Sequence, residues 1–215
     1  MTDANINSLL KWSVENSEAS KSPNTSSSQS QNPQVQPERG PNPAALAALF
    51  GGPSDADLMR QSLAIVQDPS TSLEDRLTAL DNFEQLIESI DNANNIRSLG
   101  LWTPLLSLLS NSEPSVRKMA AWCVGTAVQN NASAQERLVV MDGVSKLAEM
   151  VSKEGEEEAV RRKVVYALSS AVRNYQPATD EMVSVLPKEI VGDGEVRADD
   201  MQRIDGIMER LRNRA

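Results

Sequence analysis

The chain contains no histidine and a single cysteine, Cys123. Without histidine it cannot build a Ser-His-Asp triad, a Cys-His nucleophile or an imidazole metal site, and it loses the commonest general base of enzymes. One cysteine forms neither an intrachain disulfide nor a thiolate zinc site. Glycine-rich loops with phosphate-binding spacing are also missing. We therefore expect no catalytic residues, no cofactor and no metal, and predict that the protein is not an enzyme.

Basic clusters and long apolar runs are scarce as well. The net charge is -9 at pH 7, and the lysines and arginines are spread evenly along the chain. Nucleic acids and anionic membranes are bound by clustered basic residues, so we expect neither as a partner. No apolar run approaches the roughly 20 residues of a membrane span, and the first residues lack the basic, apolar start of a secretory signal. These absences predict a cytoplasmic protein.

What the chain does have is an internal repeat. A helical pattern at residues 116–128 recurs at 160–172, and a weaker copy lies at 75–87. The spacing falls within the period of roughly 40–47 residues typical of armadillo and HEAT units, whose stacked helices form surfaces that bind other macromolecules. Because aromatics make up only 3% of the chain, we expect an aliphatic core that includes Cys123. The sequence predicts an all-α, armadillo-like solenoid.

The composition divides the chain into segments. Residues 17–43 are rich in Ser, Gln, Pro and Asn, and such a stretch buries too little apolar surface to order itself. Ser54 before Asp57 and Ser72 before Asp75 are helix-capping signals. We predict four segments: a flexible N-terminal segment with a short helical motif (residues 1–42), N-terminal capping helices (43–69), about three armadillo-like repeats (70–191) and a C-terminal helical cap (192–215).

Five phrases of the sequence resemble one known family, the fungal armadillo-type nucleotide-exchange factors of heat-shock-70 class chaperones. They are LLKWSVENS at residues 9–17, FGGPSDADLM at 50–59, DNFEQLIESIDNANN at 81–95, GTAVQNN at 125–131 and YALSSAVRN at 166–174. The resemblance covers residues 6 to about 175. It fails in the tail, where longer members of the family carry a fourth armadillo repeat.

The resemblance implies a co-chaperone that supports protein folding and translation. The repeat domain would bind the ATPase domain of a cytosolic heat-shock-70 class chaperone and promote ADP release, after which ATP rebinding releases the client. It also implies that the N-terminal segment occupies the chaperone's substrate-binding domain as a release element. The matching motif here is Leu9, Leu10, Lys11 and Trp12.

In armadillo stacks the long third helix lines the concave side, and side chains four residues apart point at the partner. We therefore predict a chaperone-binding face formed by Asp81, Gln85, Glu88, Trp122, Thr126, Gln129, Tyr166, Ser170 and Arg173. Other readings remain open: Trp122 and Tyr166 could pack between repeats, and Asp81 and Glu88 could be simply solvated.

The asparagine-rich stretches that follow two of the long helices invite a further prediction. Asn92, Asn94, Asn95, Asn130 and Asn131 either end the preceding helix or contact a partner. Ala93 lies between Asn92 and Asn94 and is a small residue at an expected ridge of the solenoid, where a partner could approach closely. We expect Ala93→Arg to impair chaperone binding without unfolding the repeats.

Two other functions fit the composition less well. An armadillo adaptor that binds extended peptides, or a scaffold of protein complexes, would carry tryptophan and asparagine ladders on successive third helices. Here only Trp122 fits, and Thr126 stands where the asparagine would be. A carboxylate-based hydrolase is the third class, but the acidic clusters lie on polar stretches of the chain.

Overall fold

A computed structural model describes residues 51–213, and the fold below is that of the compact unit that begins at Ser54. Its described residues form helices and no strand, which confirms the all-α prediction. The helices are α1 (Asp55–Gln67), α2 (Leu73–Ile87), α3 (Ile90–Ser98), α4 (Trp102–Ser107), α5 (Pro114–Val128), α6 (Ala132–Val140), α7 (Gly143–Ser152), α8 (Glu158–Val172), α9 (Gln176–Val185), α10 (Lys188–Val191) and α11 (Met201–Arg212), with a 3-10 turn at Leu108–Ser110. The predicted N-terminal segment, residues 1–42, lies outside the described residues.

The first two helices begin at the capping residues that the sequence indicates. The Ser54 hydroxyl accepts a hydrogen bond from the Asp57 N–H at 3.2 Å and donates to the Asp57 carboxylate at 2.7 Å. Ser72 and Asp75 repeat the arrangement at 3.1 and 2.7 Å. Each pair satisfies a backbone donor that has no partner within the helix, so the starts of α1 and α2 are fixed locally.

The three sequence copies form three long helices, α2, α5 and α8, each of 15 residues. They stack side by side, because α5 packs between α2 and α8, while α1 covers α2 and α11 packs against α8. Two shorter helices precede each of α5, α8 and α11, so the chain advances in three-helix steps. This arrangement confirms the armadillo-like solenoid; the four segment boundaries stay a prediction.

The core between these helices is aliphatic apart from Phe83 and Trp102. Cys123 has no exposed surface, which confirms that it belongs to the core, and its thiol donates to the Leu80 carbonyl of α2 at 3.6 Å. Burial raises the pKa of the Cys123 thiol far above its ordinary value, with a smaller contribution from Glu84. The thiol is therefore a packing group at the contact between α2 and α5.

The asparagines after the long helices have different positions in different repeats. Asn130 and Asn174, which follow α5 and α8, adopt left-handed backbone angles with φ of 52° and 58°. The helix-ending interpretation is correct for Asn130, whereas Asn131 caps the start of α6. It is wrong for Asn92, Asn94 and Asn95, because α2 passes into α3 through Ser89 and these residues lie inside α3.

An ion pair joins the second and third long helices near their amino-terminal ends. The Arg117 guanidinium of α5 binds the Glu156 carboxylate, just before α8, through two hydrogen bonds of 3.0 and 2.6 Å. Burial raises the pKa of Glu156, but the bonds from Arg117 and from the Glu157 N–H outweigh it and hold that pKa below its ordinary value. Glu156, one of the acidic residues that precede α8, therefore joins two repeats.

Candidate functional site

The three long helices present one face in a common register. Three positions of each helix contribute to it. They are the ninth residue (Asp81, Trp122 and Tyr166), the thirteenth residue (Gln85, Thr126 and Ser170) and the first residue beyond the end of the helix (Glu88, Gln129 and Arg173). None of the nine is fully buried. We call this set the long-helix face. The structure therefore brings together nine of the residues predicted to bind the chaperone, and their contact with it stays a prediction.

A lysine that is not among these nine residues lies close to both aromatic rings of the long-helix face. The Lys163 ammonium of α8 lies 3.3 Å from the centroid of the Trp122 ring on α5 and 5.7 Å from that of Tyr166. The Tyr166 hydroxyl, in turn, donates to the Gln129 side-chain oxygen at 3.2 Å. A cation over an aromatic face is attracted by the ring quadrupole. Trp122 and Tyr166 thus pack between repeats and also remain partly exposed, so the two readings from the sequence are not exclusive.

The close approach of Tyr166 to α5 depends on a glycine. A Cβ atom placed on Gly125 would lie 2.5 Å from Tyr166 Cε1 and 3.1 Å from the Cα of Ala167. Carbon atoms do not approach that closely, so any larger residue forces the ring away from α5. Gly125 therefore sets the position of one aromatic side chain on the long-helix face.

At the α2 end of the long-helix face, the acidic side chains accept hydrogen bonds from neighbouring side chains. The Thr126 hydroxyl of α5 donates to the Glu84 carboxylate of α2 at 2.6 Å, and Glu84 is only 5% exposed. Asp81 accepts a hydrogen bond from Gln85 within α2 at 2.7 Å. Thr126 thus joins two repeats. Asp81 and Gln85 are the polar groups at this end that are more available to a partner.

At the other end Arg173 is already engaged. Its guanidinium pairs with Asp205 of α11 and lies 3.2 Å from the Met201 sulfur, while its Nε donates to Ser169 at 2.9 Å. Because the Asp205 side chain is largely exposed, this pair contributes little to stability. Arg173 is thus held in one orientation, with its charge partly balanced.

Ala93 differs from the other predicted contact residues. It lies inside α3 and is only 3% exposed, since its methyl group packs into the core. The neighbouring Asn92 is also buried, and its amide donates to the Asp55 carboxylate at 2.8 Å and to the Leu86 carbonyl at 2.9 Å. The burial of Ala93 argues against the expectation that Ala93→Arg leaves the repeats folded, because an arginine here would have to enter the core.

Sequence reasoning missed Lys163 and Glu84. Lys163 lies three residues before Tyr166, so both occupy one side of α8, and this spacing is a signal that was available. Burial lowers the pKa of Lys163, Glu84 opposes that shift, and Lys118 on α5 adds to it. The release motif Leu9, Leu10, Lys11 and Trp12 lies outside the described residues.

The site is suited to binding a protein surface. Half-exposed aromatic side chains with fixed polar neighbours are typical of interface anchors. Within residues 51–213 there is no group of three or more metal-ligating side chains. Over the same range, no helix is long and apolar enough to cross a membrane. The fold defines a helical-repeat protein, and the long-helix face is suited to binding another macromolecule.

Comparison with known proteins specifies the family. Residues 6–96 match the family model described as nucleotide exchange factor Fes1, and residues 92–187 match the C-terminal domain of SIL1, FES1 and HPBP1. The chain is 51% identical to the Hsp70 nucleotide exchange factor FES1 of Gibberella zeae, across 100% of this chain and 98% of the relative. It is 47% identical to the Neurospora crassa factor, covering 99% and 98% of the two chains, and 49% identical to that of Coccidioides immitis, covering 98% of each. The chain belongs to the Fes1 family of nucleotide exchange factors, as the five phrases indicate.

Proposed function

We propose that this protein is a nucleotide-exchange factor of a cytosolic heat-shock-70 (Hsp70) chaperone. The observation that carries the proposal is 51% identity, across the whole chain, with an Hsp70 nucleotide exchange factor. In this proposal the long-helix face binds the chaperone's ATPase domain and promotes ADP release, and the ATP that rebinds then releases the client.

Binding alone can drive such an exchange. A partner that binds the nucleotide-free ATPase domain more tightly than the ADP-bound form shifts the equilibrium towards release, and no acid-base chemistry is needed. Because linkage is reciprocal, ADP must weaken the binding of this protein by the same factor by which this protein weakens the binding of ADP. The face carries groups that fit this role, with half-buried Trp122 and Tyr166 in a fixed position between two repeats.

Stopped-flow release of fluorescently labelled ADP from the Hsp70 ATPase domain tests the proposal. We expect this protein to accelerate release in a concentration-dependent manner. A parallel titration should give a lower affinity for the ATPase domain when saturating ADP is present. If release is equally fast with and without this protein, the proposed function is wrong.

We further propose that residues 1–42 act as the release element, with Leu9, Leu10, Lys11 and Trp12 at the chaperone's substrate-binding domain. The support is the resemblance of the LLKWSVENS phrase, in which Trp12 stands close to Leu9 and Leu10 and ahead of a Ser-, Gln- and Pro-rich stretch. Removing residues 1–40 should leave ADP release nearly unchanged and slow the release of a labelled client peptide. Equal client release by the full and truncated chains would contradict this role.

A further inference from the structure

We propose that Lys163 is the charged anchor of the long-helix face and binds a carboxylate side chain on the ATPase domain of the chaperone. The proposal rests on the proposed function and names the chemistry of the contact. It starts from the position of this ammonium group, which projects from α8 over the Trp122 ring of α5 at 3.3 Å.

The Lys163 charge lacks an acidic partner in the part of the chain that the structure describes. No carboxylate of residues 51–213 lies within 4.0 Å of its side-chain nitrogen. The ammonium group also makes no hydrogen bond to another residue of that range. The acidic side chain that acts on it electrostatically, Glu84, already accepts a hydrogen bond from the Thr126 hydroxyl. An ammonium that is half-buried and unpaired favours an incoming carboxylate, because it has already lost part of its water.

The side chain is also held in place before any partner arrives. Trp122 lies beneath the ammonium and Tyr166 beside it, and Gly125 lets the Tyr166 ring lie close to α5. A lysine loses rotamer entropy when it is fixed at an interface. Because the rings restrict Lys163 in the free protein, less of that cost remains at binding.

The charges along the row of long helices point to the same partner chemistry. The α2 end carries the partly exposed, acidic Asp81, with the Glu84 carboxylate buried beside it, whereas α5 and α8 contribute Lys118 and Lys163; Lys118 is close enough to lower the pKa of Lys163. A partner docked on this row therefore meets an acidic end and a basic centre. Such segregation selects one orientation of the partner, with its acidic surface over α5 and α8.

Substitutions at Lys163 separate a contact from a structural role. In titrations with the Hsp70 ATPase domain, Lys163→Gln should weaken binding about tenfold or more, and Lys163→Glu about a hundredfold, since the latter opposes a carboxylate. Lys163→Arg keeps the charge over the Trp122 ring and should stay within about threefold of the unmodified protein. Lys146→Gln and Lys146→Glu are matched controls, because Lys146 is an exposed lysine of α7 outside the long-helix face.

Salt dependence gives a second readout. The association rate of the unmodified protein should fall between about 50 and 200 mM salt more steeply than that of Lys163→Gln, because screening removes the attraction that the variant already lacks. Circular dichroism and thermal unfolding identify a purely structural effect. Lower stability of Lys163→Gln with unchanged affinity, or affinities equal to those of the Lys146 variants, would overturn the proposal.

The same experiment distinguishes this inference from the proposed function. If the unmodified protein fails to accelerate ADP release, the proposed function is wrong. If the unmodified protein accelerates release and Lys163→Glu does so equally well, the exchange function stands and the anchor is wrong.

Discussion

Replacing Gly125 with alanine should loosen the contact between α5 and α8 and move the aromatic side chain that rests on it. The added methyl carbon would lie 2.5 Å from Tyr166 Cε1, 2.6 Å from Cδ1 and 3.1 Å from the Cα of Ala167. The first two atoms belong to a side chain that can rotate away, but the third is backbone. Tyr166 must therefore leave its place above α5, and its hydrogen bond to Gln129 is lost.

The magnitude follows from three opposing terms. Alanine is favoured over glycine inside a helix by about 1 kcal/mol. Overpacking costs about 1–3 kcal/mol, and the loss of a partly exposed hydrogen bond adds about 0.5 kcal/mol. The expected net loss is about 1.5 kcal/mol, which for a domain of this size lowers Tm by about 3–6 °C.

Gly206 in α11 provides the matched control. A Cβ atom there would meet only the Arg210 side chain, at 3.5 Å, which is an ordinary contact. Gly206→Ala should therefore keep the propensity gain and raise Tm by about 2–4 °C. Thermal unfolding followed by circular dichroism compares the two variants. If both raise Tm equally, the close approach of Tyr166 to α5 does not constrain this position and the reasoning is refuted.

Two further predictions concern groups buried at contacts between repeats. Glu156→Gln should destabilise the protein by about 2–3 kcal/mol at neutral pH, because Arg117 loses a buried charged partner. Folding lowers the pKa of Glu156, so this difference in stability should be complete at pH values above the ordinary pKa of 4.5 and shrink as the pH falls below that value. Urea unfolding at several pH values measures the difference. A difference that does not depend on pH would contradict the ion pair. Cys123 should resist aromatic disulfide reagents in the native protein and react in about 6 M guanidinium, because burial raises its pKa and blocks access; rapid labelling without denaturant would contradict the packing.

The helices and their register could be predicted because the signals for them are local. Each long helix carries its own apolar stripe, and Ser54 and Ser72 act on residues three positions away. Copies of equal length, aligned by sequence, necessarily place Asp81, Trp122 and Tyr166 at one position of the helix. Periodicity and capping therefore sufficed to predict both the fold class and the long-helix face.

The contacts between repeats could not be predicted, because they depend on how one helix is rotated against the next. Thr126 and Glu84 are 42 residues apart, and nothing near either indicates that they bond. The burial of Ala93 was missed for the same reason. The polar run around Asn92 resembles a loop as long as the hydrogen-bond partners of Asn92 are unknown. One of these partners, Asp55, lies 37 residues away in the sequence. Buried polar residues with distant partners are the general limit of reading a single sequence.

In the proposed function, exchange driven by binding works best when the solenoid is stiffer than the ATPase domain that it binds. A soft surface would adapt to the ADP-bound and nucleotide-free forms alike, and coupling exists only where the two affinities differ. Arg117 and Glu156 hold α5 and α8 together through a pair in which Glu156 is largely buried. Stiffness at this junction is therefore a property that can be changed without touching the long-helix face.

Glu156→Gln should consequently reduce the ratio of the affinities for the ATPase domain without and with ADP by about fivefold, which corresponds to a loss of about 1 kcal/mol in coupling. Calorimetric titrations in the two nucleotide states measure this ratio. Glu158→Gln is the control, because its pair with Arg162 lies within α8 and is exposed on both sides. An unchanged ratio in Glu156→Gln, at a temperature where the protein is folded, would mean that stiffness between these repeats does not carry the coupling.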